Sequence, residues 1–403
     1  MNKQYKYIIL GAGPSGLSFA HTLLDCGEQS FLIIEKEKIA GGLCRSEIVD
    51  DAPLDIGGGH FLDIKNQAAL DLLFRFLPRS EWLEFKRIST IKIRGREVDY
   101  PLEANLWQLP LEDQIDFLES ISAAGCVRGL AMPESFEDWI SWKLGKRIAQ
   151  EYMLPYNRKI WSTDLRELGT YWLSKLPDVS FRETLQSCLE RKPSGTIPAH
   201  GTFLYPRGFG YGEVWRRMGL ALGERLLTSA PVKRIDISKK IINNSFGAEM
   251  IINTIPWTQW LHISDLPEPI EKRISRLRYS SIDVDYLPET LPSAAHWIYD
   301  PDERLPYHRI LCRSNFYPGS RGYWTETNSK RAVEKKAGWR HSNEFAYPLN
   351  TLDKPLTIRE ICKWAEQNNI IGLGRWGQWE HMNSDIAVSS GITEAKRILG
   401  KSS

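Results

Sequence analysis

Apolar positions open the chain in three short blocks. Tyr7 to Leu10 is a continuous apolar run of strand length, Leu17 to Leu24 is apolar at helical spacing, and Phe31 to Ile34 is a second short run ending at Glu35. Continuous rather than alternating runs characterise strands covered on both faces, which are mostly parallel. The pattern therefore predicts strand, helix and parallel strand.

Further along the signals change character. Ala68 to Leu77 has the spacing of an amphipathic helix stopped by Pro78, and Ser89 to Val98 alternates around Arg94-Gly95-Arg96 as a hairpin does. Leu106 to about Ser187 is helix-rich, with Trp139, Trp142, Ile148 and Met153 on apolar faces. Pro193 to Pro206 reads as loop, Glu213 to Leu226 as helix, and Ala230 to Ile252 as short strands. Ser280 to Trp324 is strand-like and aromatic, Asn328 to Phe345 is polar and basic and reads as a helix, and Ser384 to Leu399 is a final amphipathic helix.

Glycines punctuate the first blocks at chemically meaningful places. Gly11 makes the tight turn after the first strand, Gly13 lets a pyrophosphate approach the backbone, and Gly16 lets helix and strand pack closely. Pro14 and Ser15 begin the helix whose N–H groups and dipole favour an anion. Glu35 stands 19 residues after Gly16, the distance at which an acid accepts from a ribose hydroxyl, with Lys36 beside it. A second glycine group follows, Gly41-Gly42-Leu43 with Arg45, and then Asp55-Ile56-Gly57-Gly58-Gly59-His60. A third, Gly372-Leu373-Gly374-Arg375-Trp376-Gly377, lies near the C-terminus. A nicotinamide dinucleotide alone needs no second cluster, whereas a flavin ring needs backbone free of side chains beside it. Glycine loops at both ends predict a discontinuous FAD domain.

The fold expected is α/β: a discontinuous Rossmann-like FAD-binding domain, a helical domain and an antiparallel β-sheet substrate domain. The divisions are 1–85, 191–256 and 351–403 for the cofactor domain, 86–190 for the helical lid or substrate domain, and 257–350 for the sheet. The 403 residues suffice for two or three domains. A net charge of +2 implies no nucleic-acid or membrane-surface partner. No apolar run reaches the ~20 residues of a membrane helix, and no secretory leader precedes the first strand. Six scattered cysteines without a CxxC pair argue against a zinc site and fit free thiols in the cytoplasm. Fifteen tryptophans are explained either by core packing or by a cleft for flat ligands.

Several longer motifs then resemble one family. Leu154-Pro-Tyr-Asn-Arg-Lys-Ile-Trp161, Tyr205-Pro-Arg-Gly-Phe-Gly-Tyr-Gly-Glu-Val-Trp215, Trp297 to Arg309 with Ser314-Asn315, and Gly374-Arg-Trp-Gly377 resemble, in order, segments of the UDP-galactopyranose mutases. That family stands within the wider group of amine-oxidase and protoporphyrinogen-oxidase-like flavoproteins. The 297–315 stretch is the most discriminating. The resemblance implies a mutase that interconverts pyranose and furanose forms of a nucleotide sugar. Reduced FAD bonds through N5 to the sugar, with no net redox, and NAD(P)H is one candidate reductant. It also implies a role in building furanose-containing polysaccharide. A homo-oligomer is left open.

Carried over residue by residue, the resemblance implies catalytic roles for His60 beside the flavin, Arg309 at the diphosphate, and a lid arginine. Arg182 is the candidate for the lid, with Lys175 and Arg191 as alternatives. Cofactor contacts would come from Gly11, Gly13, Pro14, Ser15, Gly16, Glu35, Lys36, Gly42, Leu43, Arg45, Gly58, Gly59, His60, Gly374, Arg375 and Asp385. Substrate contacts would come from Tyr156, Asn157, Trp161, Tyr307, Arg309, Tyr347 and His381. No metal is expected.

Three departures bear on specificity, one of them the segment from Arg278 to Ser293, which is shorter and more acidic than the family's. His381 stands where the family has a second diphosphate-binding tyrosine, and Glu103 where eukaryotic-type members have Gln near the nucleotide. Competing readings are an amine-oxidase-type oxidoreductase, which needs an apolar cage and few cations at the flavin, and a flavin-binding scaffold without chemistry.

Overall fold

The computed structural model describes residues 3–173, 178–195, 201–334 and 338–401. Strand β1 (Lys3–Leu10), helix α1 (Pro14–Asp25) and strand β2 (Phe31–Ile34) form where the apolar blocks predict them. β1 lies between β2 and the Phe246–Asn253 strand, parallel to both, with Leu10 level with Ile34 and Asn253. Leu226–Leu227 joins beyond β2, and Ile370–Gly372 beyond Phe246–Asn253, again parallel. One sheet thus gathers strands from widely separated stretches of sequence.

Both faces of this sheet are covered, which explains its continuous apolar runs. Tyr7, Ile9, Phe31 and Ile33 pack with Leu17, Phe19 and Leu23 of α1, while Ile8, Leu10, Leu32 and Ile34 pack with Trp257 and Trp260. The final helix, Ser384–Ile398, lies against α1 at Gly391, where a Cβ would collide with Ser18 and the Ser15 carbonyl. The Trp257–Ile263 and Glu268–Ile274 helices also belong to this cofactor-sheet region.

A second seven-stranded sheet runs Arg340–Pro348, Tyr279–Leu287, Tyr323–Asn328, Tyr307–Cys312, Trp297–Tyr299, Ser89–Ile93 and Arg96–Asp99. All its pairings are antiparallel except Trp297–Tyr299 with Ser89–Ile93. The hairpin at Arg94-Gly95 therefore extends the substrate sheet, although it precedes the helical region in sequence. Helices Leu111–Ser122, Phe136–Ile148 and Phe181–Glu190 share their own apolar core with Leu154–Trp161.

Two local expectations fail. Arg340–Pro348 is a strand, not part of a helix over 328–345; its polar residues belong to an edge strand with one exposed face. Thr202–Pro206, read as loop, is the middle strand of a small sheet between Leu62–Asp63 and Trp82–Lys86. The prolines and glycines just before it suggest a loop, but pairing on both sides makes these residues a strand.

Candidate functional site

The carboxyl ends of β1, β2 and the Phe246–Asn253 strand open onto a cleft of about 580 Å³. Ligands of open parallel sheets bind at this end. Gly11, Gly13, Pro14, Ser15, Glu35, Lys36, Gly42, Leu43, Arg45, His60 and Arg375 all line it. Gly11 turns with φ 97°, and α1 starts at Gly13 without a side-chain cap, so its first N–H groups face the cleft unanswered. A Cβ on Gly13 would meet nothing within 4 Å; the space beside it is open. Glu35 accepts from the Ala12 N–H at 2.7 Å and the Glu37 N–H at 2.9 Å. Each carboxylate oxygen retains acceptor capacity for a ribose hydroxyl. Arg45 donates to the Gly42 carbonyl at 3.0 Å and pairs with Glu37 at 3.1 Å, bracing the cleft wall.

Other predicted cofactor residues act one layer back. A Cβ on Gly16 would strike the Gly11 carbonyl, and one on Gly374 would strike Ser15, so both glycines let backbones close up. The Gly57–Gly59 loop is constrained by protein neighbours: added Cβ atoms would collide with the Leu43 carbonyl, Glu326 and Leu311 in turn. Asp385 sits outside the cleft lining and accepts from Asn66 Nδ2 at 3.4 Å, while Ser384 and Ala387 face the cleft. Buried Asp55 anchors this region. It accepts from Ser46 at 2.5 Å and from Tyr205 and the Tyr211 N–H at 3.1 Å, and burial, opposed by these donors, pushes it up to about 7.

A second cavity, of about 320 Å³, lies between the antiparallel sheet and the helices. It shares His60, Arg375 and Ser384 with the cofactor cleft, so the two meet there. Gly59, Tyr156, Asn157, Trp161, Arg309, Tyr347 and His381 line it, as does Glu103. The Tyr347 ring lies 4.8 Å from that of His381, and the Arg375 guanidinium 5.6 Å from Tyr347. Asn157 is committed within its helix, donating to the Met153 carbonyl at 2.8 Å and accepting from Trp161 Nε1 at 2.9 Å.

Tyr307 is not in this lining. A bulge between Tyr307 and Arg309 breaks the strand's alternation, so Tyr307 packs with Ile310 and Cys312 while Arg309 and Leu311 line the cavity. Arg182 is exposed on the Phe181–Glu190 helix, outside the lining, and Arg191 is exposed at that helix's end. Lys175 lies outside the described residues.

The cations at this junction differ in charge balance. Arg309 donates to Glu326 from Nε at 3.0 Å and Nη2 at 2.5 Å. Glu326, fully buried, also accepts from the Gly59 N–H at 2.9 Å. Burial pushes Glu326 up, but Arg309 and His308 outweigh it and hold the carboxyl at about 2. Arg375 instead donates to two neutral carbonyls, Ala346 at 2.9 Å and Met382 at 2.7 Å, and no carboxylate pairs with it among the described residues. His60 is pulled down to about 4 by burial and by Arg375, so its ring is neutral at pH 7; its Nδ1 has no hydrogen-bond partner among the described residues.

Sequence reasoning missed Arg87 and Glu326. The Arg87 guanidinium stacks 4.8 Å from Tyr100 and 4.7 Å from Trp297, and donates to Tyr299 at 3.2 Å, all on the cavity wall. The pairing of Ser89–Ile93 with Trp297–Tyr299 helps to bring it there. The tryptophans divide: Trp82, Trp215, Trp257, Trp260, Trp324 and Trp379 are core, whereas Trp139, Trp161, Trp172 and Trp297 line the second cavity. Among the described residues no group of His, Cys, Asp or Glu is placed to hold a metal, and no helix is long and apolar enough to cross a membrane.

Sheet order, glycine turn and cleft define a Rossmann-type dinucleotide-binding protein, and residues 9–76 match the NAD(P)-binding Rossmann-like domain family. Over nearly its whole length the chain is similar to UDP-galactopyranose mutase. It is 21% identical to the enzyme of Mycoplasma pneumoniae over 410 aligned residues, 98% of this chain and 96% of that one. A crystal structure of reduced UDP-galactopyranose mutase superposes with a TM-score of 0.88 at 23% identity, covering 98% of this chain and 94% of the other. A putrescine oxidase double mutant gives 0.62 at 16% identity, covering 99% and 100%. The resemblance carried by the motifs thus extends through the fold.

Proposed function

We propose that this protein interconverts pyranose and furanose forms of a nucleotide sugar, UDP-galactopyranose or a close relative, using FAD in its reduced form. The observation that carries the reading is the junction of the two cavities at His60 and Arg375. The cleft residues fit FAD. The uncapped start of α1 takes the pyrophosphate, Glu35 takes a ribose hydroxyl, and the orphaned His60 Nδ1 offers a polar contact at the ring end. Reduced FAD would supply a nucleophilic ring nitrogen to the anomeric carbon, with no net oxidation.

The chain's own residues do the rest. Arg375, without a carboxylate partner, offsets charge on the diphosphate as it separates from the sugar. Arg87 binds a diphosphate oxygen from the opposite wall, its plane fixed by Tyr100 and Trp297. Arg309 is held by Glu326 beside Gly59, so it positions the sugar end while its charge stays balanced. Tyr156, Tyr347 and Trp161 exclude water. Neutral His60 presents Nδ1 as acceptor or donor according to its tautomer. NAD(P)H is the reductant in this reading, and six free thiols suit a reducing cytoplasm.

An oxidoreductase of the amine-oxidase type is the alternative, since the putrescine oxidase shares the fold. It needs an apolar cage at the flavin, and three arginines in the second cavity speak against it. Titrating UDP-galactopyranose into the oxidised, FAD-loaded protein tests the proposal. Saturable perturbation of the flavin spectrum, lost in Arg375→Ala, is expected; no perturbation at millimolar ligand counts against it.

A further inference from the structure

His308 stands one residue before Arg309 and is fully buried, yet neither ring nitrogen has a hydrogen-bond partner among the described residues. Buried polar atoms normally find partners, so the exception calls for a reason. Its Nε2 lies 3.6 Å from Glu326 Oε2, too far for a hydrogen bond. That same oxygen accepts from Arg309 Nε at 3.0 Å and Nη2 at 2.5 Å. The gap suits a neutral ring whose Nε2 lone pair faces the carboxylate: two acceptors hold apart, and a proton between them would close the gap to a charge-assisted bond. The surroundings explain why the free protein leaves that proton out. Burial pulls His308 down; Glu326 opposes, and Arg309 and Lys159 assist. On the Leu154–Trp161 helix, Lys159 is fully buried against the Asp300 and Asp302 carbonyls at 2.7 Å, and although burial pulls it down to about 8 it is a cation at pH 7. Tyr156, on the same helix, is a phenol raised by burial, its ring 5.9 Å from that of His308. On its own strand, Tyr307 is raised by burial to about 12. Asp300, whose N–H binds the His308 carbonyl at 3.0 Å, is paired with Lys92 at 3.3 Å. The charges that act on the ring are thus one anion, Glu326, and two cations, Arg309 and Lys159.

We propose that His308 takes up a proton when the nucleotide sugar binds, the proton entering at Nε2 and pairing the ring with Glu326. The inference rests on the nucleotide-sugar reading and adds how the protein balances the charge that this ligand brings. A sugar diphosphate carries its negative charge into the cavity that Arg309 lines. Drawn towards Arg309, that charge loosens the guanidinium's hold on Glu326 and offsets the positive field at His308, and both effects favour the imidazolium. Buried Glu326 then keeps a cationic partner throughout, and the Gly59 N–H that it binds at 2.9 Å keeps its acceptor. Arg309 is thereby free to turn to the ligand without stranding the carboxylate. The proton comes from the buffer, and no covalent bond is made or broken.

Binding that raises the proton affinity of His308 is tightest below the pKa of the free ring and weakens as pH rises towards that of the bound ring, by up to about tenfold per pH unit. The test is calorimetric titration of UDP-galactopyranose, whose diphosphate has no ionisation in this range, into the oxidised FAD-loaded protein from pH 6 to 8. Two buffers of different ionisation enthalpy are used, because the difference in heat counts the protons taken up per ligand. His308→Gln and His308→Phe are measured beside the wild type, one polar and one apolar replacement, so that a folding defect in either leaves the other to decide. The expected result is uptake approaching about one proton per ligand in the wild type, with affinity falling as pH rises, and the loss of both in the variants. His60 and His381 line the same cavity, and uptake by either would survive both substitutions. Undiminished uptake in the variants therefore overturns the proposal, as does wild-type heat that is equal in the two buffers; either result leaves the nucleotide-sugar reading intact. Failure of the wild type to bind at any pH overturns the two together.

Discussion

Glu326 binds Arg309 and the Gly59 N–H at once, at 2.5–3.0 Å, joining the glycine loop at the cofactor cleft to the substrate sheet. The carboxylate is fully buried, and Arg309 is 19% exposed. Removing one partner of such a pair strands the other's charge. Glu326→Gln is therefore expected to destabilise the protein by about 3 kcal/mol or more, read by urea unfolding. Unchanged stability would show that the pair is not a structural tie.

The same carboxyl gives the protein part of its acid sensitivity. Its pKa is about 2 in the fold against 4.5 ordinarily, so the stability it contributes is present above pH 4.5 and is lost as pH falls towards 2. His60 adds a second component. Held near 4 against 6.5, it must be protonated against the fold as pH drops from 6.5 to 4. Asp55, raised to about 7, acts in the opposite sense between pH 7 and 4, so stability measured against pH should change little down to about 4.5 and decline below it, and that decline should shrink in Glu326→Gln.

Arg87 should matter to nucleotide binding and Arg182 should not. Arg87→Lys loses the flat stacking surface between Tyr100 and Trp297 and is expected to weaken UDP binding about tenfold or more, with the fold intact by circular dichroism. Arg182→Ala, on an exposed helix, is expected to change it less than about twofold. Calorimetry on both variants decides, and the reverse ranking would return the diphosphate role to the helix.

Gly58 has φ 90°, and its missing Cβ leaves room for the Glu326 carboxylate. Gly58→Ala combines backbone strain with overpacking at the Arg309 pair. A loss of about 2–4 kcal/mol is expected in thermal or urea unfolding, and a neutral result would mean that the loop can relax.

These residues also mark what could be read from sequence. The β1–α1–β2 unit was legible because its information is local: glycines at a turn, an apolar helix face and an acid at the strand end fall within a few dozen residues. The second cavity was partly legible, through motifs that place Asn157, Arg309, Tyr347 and His381. Arg87 was not, because its role arises from pairing between strands some 200 residues apart in sequence. Glu326 fell between the strand-like stretch ending at Trp324 and the polar stretch beginning at Asn328, and carried no motif. Tyr307 was misread because one bulge reverses the face it presents, and a bulge leaves no mark in a hydrophobic pattern. Arg340–Pro348 was misread because an edge strand with an exposed face can be as polar as a surface helix.

The central claim is tested most directly by sugar-nucleotide interconversion. Purified FAD-loaded protein is incubated with UDP-galactofuranose, with and without dithionite, and the products are separated by chromatography. The account predicts UDP-galactopyranose only in the reduced sample. No conversion in either sample, with UDP also leaving the flavin spectrum unchanged, would contradict it and favour the oxidoreductase class.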